Sequence, residues 1–373
     1  MARMPVPSVL VVNPGSSSLK LSVLAGDDTV LADAAVQSRS GGVDEDSLRD
    51  FLGSAAGSKF DAAGVRVVHG GPQFRASVRV DQSVIAALEG VSDLAPLHNP
   101  PALAALRLLL GQAEGRPVVA CFDTAFHAQM PDAAAVYGVP WQWTSEYGVR
   151  RYGFHGLSHG YATRRAASLL GAEVSALCLV TCHLGAGASL AAVRSGVSVD
   201  TTMGFTPMEG LVMATRAGSV DPGALLYVQR RHGVSAADAE RVLDRESGLL
   251  GVSGVSADMR LVLDAAGRGE SRAVLAIDVY VHRLRRLIGA MAASLDRVDA
   301  LVFTGGVGEH AASIREQVCA SLGVLGVRGG LLTSPDGGGG DGIVSTAGVP
   351  VLVVHAREDL QIAHEVRRLI AGS

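Results

Sequence analysis

Val9-Leu10-Val11-Val12-Asn13-Pro14-Gly15-Ser16-Ser17-Ser18-Leu19-Lys20-Leu21-Ser22-Val23-Leu24 is an apolar run, a turn of small residues, and a second strand-like run. It reads as a tight hairpin, because four consecutive β-branched or leucine residues suit a buried strand and glycine and serine suit the reversal. The same device recurs further on. Leu177 to His183 passes through Leu184-Gly185-Ala186-Gly187 into Ser189 to Val193, a second hairpin. Ala300 to Thr304 passes through Gly305-Gly306-Val307-Gly308-Glu309-His310 into a helical pattern near Ser313, with Ile314, Val318 and Leu322 at intervals of four. Short strands alternating with helical patterns predict an α/β chain, and the recurrence predicts a duplicated fold with a cleft between its halves.

The length agrees with two halves. A chain of 373 residues exceeds the roughly 250–300 at which a single core stops growing. Hydrophobic residues are 48% and charged residues 18%, enough for real cores and unlike a disordered chain. A formal net charge of −4 offers no attraction to nucleic acid or anionic lipid, so small molecules are the expected partners. Apolar runs are too short for a bilayer span or a signal-peptide core, which predicts a cytoplasmic protein with no membrane partner. Cys121, Cys178, Cys182 and Cys319 mostly lie in apolar runs and are expected to be buried thiols. Val274, Ile277, Val281, Leu284, Ile288, Met291 and Leu295 step by three and four along one long helix, whose stripe faces either the core or another subunit.

Three glycine turns invite a phosphate reading, because backbone N–H groups without bulky neighbours can point together at an anion. Lys20 follows the first turn and is one of only two lysines in the chain. A plain β-turn would look the same, and neither a G-x-x-x-x-G-K-[ST] loop nor a G-x-G-x-x-G helix start is present. Arg66 in Arg66-Val67-Val68-His69-Gly70-Gly71 and Arg216 in Met213-Ala214-Thr215-Arg216-Ala217-Gly218 sit among apolar and small residues. Guanidinium groups there bind a planar anion or make a structural ion pair. Asp123 follows the apolar run Val118 to Cys121, at a strand end or a helix cap. Glu358 opens a helix after Val349 to Val354, where it suits either a magnesium ion or the helix dipole. Arg150 to His159 gathers cations, aromatics, His155 and His159. Neither that pair nor Cys178, Cys182 and His183 has the spacing of a zinc site.

These segments together resemble the acetate kinases. The likeness rests on the opening N-x-G-S-S-S-L-K, the R-V-V-H-G-G from Arg66, Ala95-Pro96-Leu97-His98-Asn99-Pro100 and Phe122-Asp123-Thr124-Ala125-Phe126-His127. It extends through the R-R-Y-G-F-H-G-x-S-H from Arg150, the C-H-L-G-x-G-A-S from Cys182, Met203 to Gly210, and Ser247 to Ser256, nearly the whole chain. The resemblance implies two ribonuclease H-like domains of the actin, Hsp70 and sugar-kinase type, residues 1–124 completed by a helix at 360–373, and residues 125–359. It implies a homodimer that transfers the γ-phosphoryl group of ATP to acetate, with propionate or butyrate as the alternative acceptor. A catalytically weakened nucleotide-binding relative is the remaining alternative.

Roles follow residue by residue. Asn13 and Glu358 would hold Mg²⁺ or Mn²⁺, and Ser16, Ser18 and Lys20 would line the phosphate path. Arg66 and Arg216 would grip carboxylate and phosphoryl group, His155 would stabilise the transition state, and Asp123 would be essential beside them. Val68, Leu97, Phe154 and Pro207 would form the pocket for the methyl group. His183, Leu184, Gly185, Ala186 and Gly187 would meet the phosphates. Asp258, Met259, Arg260, Gly305, Gly306, Val307, Gly308 and His310 would frame the nucleoside. The chain departs from the family pattern at Ala186 and His310, where Asn is usual, at Val65, where His is common, and at Met259, where an aromatic is frequent. The loss of an Asn donor at Ala186 predicts weaker nucleotide affinity.

Overall fold

The computed structural model describes residues 6–15, 18–37, 45–54, 57–96, 98–335 and 340–372, with the backbone alone at Ser18 and Gln37. The chain divides into two compact units. Met1–Ala128, Phe154–Tyr161 and Arg357–Ser373 form the first, and Gln129–Gly153 with Ala162–Ala356 the second. Phe154–Tyr161, which the sequence reading places in the second domain, groups with the first unit, where the Gly156 N–H donates to the Asp123 carbonyl at 3.0 Å.

The first unit holds a six-stranded sheet of β1 (Val9–Pro14), β2 (Ser18–Leu24), β3 (Val30–Gln37), β4 (Ala62–Val67), β5 (Val78–Arg79) and β6 (Val118–Phe122), in the order β3-β2-β1-β4-β6-β5. β1, β4 and β6 run parallel, and β2, β3 and β5 are antiparallel to their neighbours. The parallel strands are covered on both faces, which is why β1 and β6 read as continuous apolar runs. The helix Asn99–Gln112 packs Leu103, Leu106 and Leu109 on one face, with prolines in its first turn where no intrahelical N–H is needed. The helix Glu358–Ala371 lays Ile362, Ala363 and Val366 on the other. A Cβ at Gly64 in β4 would strike the side chains of Ile362 and Val366, so glycine lets that helix seat closely.

The second unit repeats the plan with β7 (Cys178–Leu184), β8 (Ala188–Arg194), β9 (Val197–Thr201), β10 (Ala300–Thr304), β11 (Gly342–Ile343) and β12 (Val351–Val353), ordered β11-β12-β10-β7-β8-β9. Read from its other edge, the series has the same permutation as the first, strand for strand. Every parallel and antiparallel pairing is also the same. The expected duplication is therefore present, with one refinement. β7 matches β1, but β10 takes the place of β4, so the third glycine device is the counterpart of the strand bearing Arg66. The long helix is Ser271–Ala293, and its stripe from Ile277 to Met291 is buried against β7 and β8. Val274, by contrast, is exposed one turn from the helix start. Among the described residues, no helix is long and apolar enough to cross a membrane. All four cysteines are buried free thiols, and burial pushes Cys121 and Cys319 up to about 12.

Candidate active site

Parallel strands bring their carboxyl ends to one edge, the usual place for chemistry in such sheets. In the first unit, Asn13 and Arg66 lie one residue beyond the paired Val12 and Val65 of β1 and β4, and Asp123 follows β6. The Arg66 Nε donates to both Asp123 oxygens at 3.2 and 3.1 Å, and Nη2 donates to Oδ2 at 2.7 Å. Nη1 donates to Asn13 Oδ1 at 3.2 Å and to Glu358 Oε2 at 3.1 Å, while Asn13 Nδ2 donates to that same Glu358 oxygen at 2.8 Å. The structure thus brings together Asn13, Arg66, Asp123 and Glu358, four residues spread from one end of the sequence to the other.

Burial works against the Arg66 charge, but the carboxylates of Asp123 and Glu358 outweigh it and hold the guanidinium above its ordinary range. Burial pushes the Asp123 carboxyl up, while Arg66 and the His155 backbone N–H pull it back. The forked contact at 2.7–3.2 Å is the geometry of an ionised pair. Asp123 is no helix cap, since its carboxylate is spent on Arg66.

His155 stands beside this cluster with φ +57°, a left-handed conformation uncommon for a side chain with a Cβ. Such a residue costs of order 1–3 kcal/mol, which the surroundings must hold in place. A Cβ at Gly156 would strike the Asp123 carbonyl, so the chain turns here within hydrogen-bonding reach of Asp123. Val68 and Phe154 are buried nearby in the same unit. The turn after Val68 is tied down by Asn99, which accepts from the His69 N–H at 3.1 Å and donates to the His69 carbonyl at 2.9 Å. Thr124 accepts from Gly70 N–H. Lys20 is exposed on β2 directly across from Asn13, on the same side of the sheet. Ser16, Leu97 and the side chain of Ser18 lie outside the described residues.

The second unit carries the remaining candidates. Arg216 Nε donates to Asp244 Oδ1 at 2.9 Å, and Nη1 reaches the Pro207 carbonyl at 3.4 Å. Among the described residues its Nη2 has no hydrogen-bond partner. Each arginine therefore has an acidic neighbour, as the ion-pair reading expects, and Arg216 keeps donors to spare. Asp244 was not singled out in the sequence, because its link to Arg216 spans 28 residues with no local pattern. His183 is the last residue but one of β7, before the turn Gly185–Gly187, and Ala186 is exposed at its tip. Gly305–His310 forms a short helix directly after β10, and the helix expected near Ser313 follows it as Ala312–Cys319, with Ile314 and Val318 buried. Gly306 and His310 are exposed on it, Val307 is half-buried and Gly308 is buried. Arg260 forks onto Asp258 on the surface. The Met259 side chain is buried on the helix Met259–Gly267, which Asp258 caps by accepting the Arg260 N–H.

Among the described residues, no group of three or more His, Cys, Asp or Glu is placed to hold a metal ion by itself. A hard cation that takes most of its ligands from water and phosphate asks less of the protein. Asn13 Oδ1 and Glu358 Oε2 converge on one cationic nitrogen of Arg66, an oxygen pair that fits such an ion.

A profile of the Acetokinase family matches residues 46–364. The chain belongs to the acetokinase family. It is 47% identical to the acetate kinase of Synechococcus sp. (strain JA-2-3B'a(2-13)), over 98% of this chain and all of that one. Among solved structures, a Porphyromonas gingivalis acetate kinase superposes with a TM-score of 0.86 at 34% identity, covering 97% of this chain and 99% of the other. A propionate kinase from Francisella tularensis does so at 0.87 and 34%, with the same coverage. Membership makes this acetokinase a phosphotransferase whose acceptor is a carboxylate, built on the duplicated α/β fold of that family.

Proposed function

We propose that this chain transfers the γ-phosphoryl group of ATP reversibly to acetate, by direct in-line attack, with Mg²⁺ or Mn²⁺ as cofactor. The observation that supports it best is the Asn13–Arg66–Asp123–Glu358 cluster at the strand ends of the first unit. A carboxylate is already an anion, so no general base is needed; the barrier is the approach of one anion to another. Arginines answer it by neutralising the phosphoryl oxygens, and one such group can contribute roughly 10³–10⁵ in rate.

In this reading Arg66 binds the acceptor carboxylate, and Asp123 fixes its plane. Arg216 presents its Nη2 to the transferring group, anchored through Nε by Asp244. His155 donates to a phosphoryl oxygen, and Lys20, Ser16, Ser18, His183 and the glycine turns receive the phosphates. Val68, Leu97, Phe154 and Pro207 exclude water around the methyl group. Asn13 and Glu358 would hold the divalent ion, whose chemistry is to offset phosphate charge.

Propionate remains a second acceptor, because the Francisella propionate kinase is as similar in structure as the acetate kinase. One methylene is worth only about 1–3 kcal/mol in an apolar pocket. A hydroxamate assay with acetate, propionate and butyrate, with and without Mg²⁺ or Mn²⁺, decides between them. Acetate should give the highest kcat/KM, and no product from any of the three would end the proposal.

A cytoplasmic homodimer completes the proposal. The buried free thiols support the location. The helix Pro222–His232, which buries none of its residues and exposes Leu226, Tyr227 and Val228, supports a second copy as partner. Light scattering should give the mass of a dimer, and Tyr227→Glu should shift it toward monomer.

A further inference from the structure

The segment Thr202–Gly210 carries Pro207, and through the Pro207 carbonyl it touches Arg216. It has no regular secondary structure of its own after β9 ends at Thr201, so something else must hold it. Three side chains do. Arg151 Nη1 donates to the Thr202 and Met203 carbonyls at 3.1 and 3.0 Å, and its Nη2 donates to Glu209 Oε1 at 2.8 Å. The Tyr137 hydroxyl donates to the other Glu209 oxygen at 2.5 Å and accepts the Phe205 N–H at 3.0 Å. The segment is thereby gripped at residues 202, 203, 205 and 209, on both sides of Pro207.

The sequence is shaped around this grip. A Cβ at Gly204 would collide with the Glu209 carboxylate and the Tyr137 hydroxyl, so glycine is the residue that leaves room for them. The Gly204 carbonyl accepts the Tyr152 N–H at 3.0 Å, which ties the strip bearing Arg151 to the same turn. The Arg151 guanidinium lies over the Tyr137 ring, 5.4 Å from its centroid, so the two supports also brace each other. Burial pushes the Tyr137 hydroxyl above its ordinary range, and Glu209 adds to the shift, so the phenol stays a donor at any working pH.

We propose that Tyr137, Arg151 and Glu209 are positioning residues that set the placement of Pro207 and, through its carbonyl, the orientation of the Arg216 guanidinium, and so govern acyl-chain selectivity. None of the three is assigned to touch substrate. The inference rests on the proposed roles of Pro207 and Arg216. A side chain displaced by about 1 Å at a reacting centre can cost 10²-fold, and a loosened wall of the methyl pocket should also admit a longer chain.

The test compares Tyr137→Phe, Glu209→Ala and Glu209→Gln with wild type, using acetate and propionate, below the unfolding temperature of each protein. Tyr137→Phe should lower kcat with acetate about tenfold and Glu209→Ala about 10²-fold. Both should raise the propionate-to-acetate ratio of kcat/KM, with KM for ATP within about twofold of wild type. Glu209→Gln keeps an acceptor oxygen for Arg151 and turns an amide N–H toward the Tyr137 hydroxyl, which can accept it, so it should restore part of the acetate preference, which a role in folding alone would not require. The proposal is overturned if kcat and the acyl ratio stay at wild-type values in Tyr137→Phe and Glu209→Ala, or if KM for ATP rises as much as selectivity falls. Wild-type protein that phosphorylates neither acid removes the proposed function itself, and this inference with it.

Discussion

The two sheets share one plan, yet the same three strand ends carry opposite chemistry. In the first unit they bear Asn13, Arg66 and Asp123; in the second, the matching positions are His183, Thr304 and Ala356, one beyond Cys182 and Phe303 and three beyond Val353. The first edge is a cluster of paired charges. The second is small, with Gly305 at φ +77° and so close to the Leu184 backbone that a Cβ would strike it. A duplicated backbone therefore constrains where groups can be placed, while a few side chains at the carboxyl ends decide whether an edge grips charge or makes room. Mutations at the matching ends test that division.

The largest effect is expected at Arg66. Arg66→Ala should abolish turnover by at least roughly 10³. It should also destabilise the protein by about 3–5 kcal/mol, because Asp123, buried to 1% exposure, loses its counter-ion. With Arg66 gone, burial and Glu358 both push the Asp123 pKa up. A raised folded pKa costs stability above it, so the deficit should shrink as pH falls through that value toward the unfolded one. Adding Asp123→Asn should recover much of the stability and none of the activity. Urea unfolding across pH checks both; a deficit that grows on acidification would contradict the assignment.

Arg216→Ala sharpens the contrast. Its ion pair with Asp244 is partly accessible to solvent, at 20% and 22% exposure, so water can reach Asp244 when the arginine is removed and stability should change by no more than about 1 kcal/mol. Turnover should nevertheless fall by at least roughly 10³, about 4 kcal/mol in the barrier. A variant keeping a tenth of wild-type kcat would remove Arg216 from the reaction.

Thr304 asks whether the second edge is built for a guest. Its hydroxyl is buried and, among the described residues, has no hydrogen-bond partner. An unsatisfied buried group is a cost, so Thr304→Val should stabilise the ligand-free protein by about 1 kcal/mol in urea unfolding. A loss of stability would show that the hydroxyl is already satisfied.

The hairpins β1–β2 and β7–β8 were legible in the sequence because a strand buried on both faces must be apolar throughout, and a tight turn must be small. β4 was not, and with it the true counterpart of β10. Ala62-Ala63-Gly64 looks like no strand, since the size its side chains gave up is taken by Ile362 and Val366 of the last helix. Dense motifs drew attention to Arg66, Asp123, His155 and Glu358 one by one. Which side chains pair with which could not be read from them. Glu358 reaches Arg66 across 292 residues and Asp244 reaches Arg216 across 28, and only the folded register makes those neighbours.

The smallest effect expected is also the most specific to this chain. Ala186 stands at the tip of the turn between β7 and β8, with its backbone held by the Ala214 N–H to its carbonyl at 3.1 Å and by the Gly185 N–H to Gly187 at 2.9 Å. The turn is thus fixed by main-chain bonds alone, and the exposed Cβ can be extended without disturbing them. Ala186→Asn adds an amide donor at an edge that otherwise offers small residues. A net hydrogen bond of about 0.5–1.5 kcal/mol corresponds to a KM for ATP lowered about twofold to tenfold, with KM for acetate unchanged. If KM for ATP stays at the wild-type value while the fold is intact, the side chain at this tip does not meet the phosphates, and nucleotide binding on the second edge must rest on its backbone N–H groups and His183.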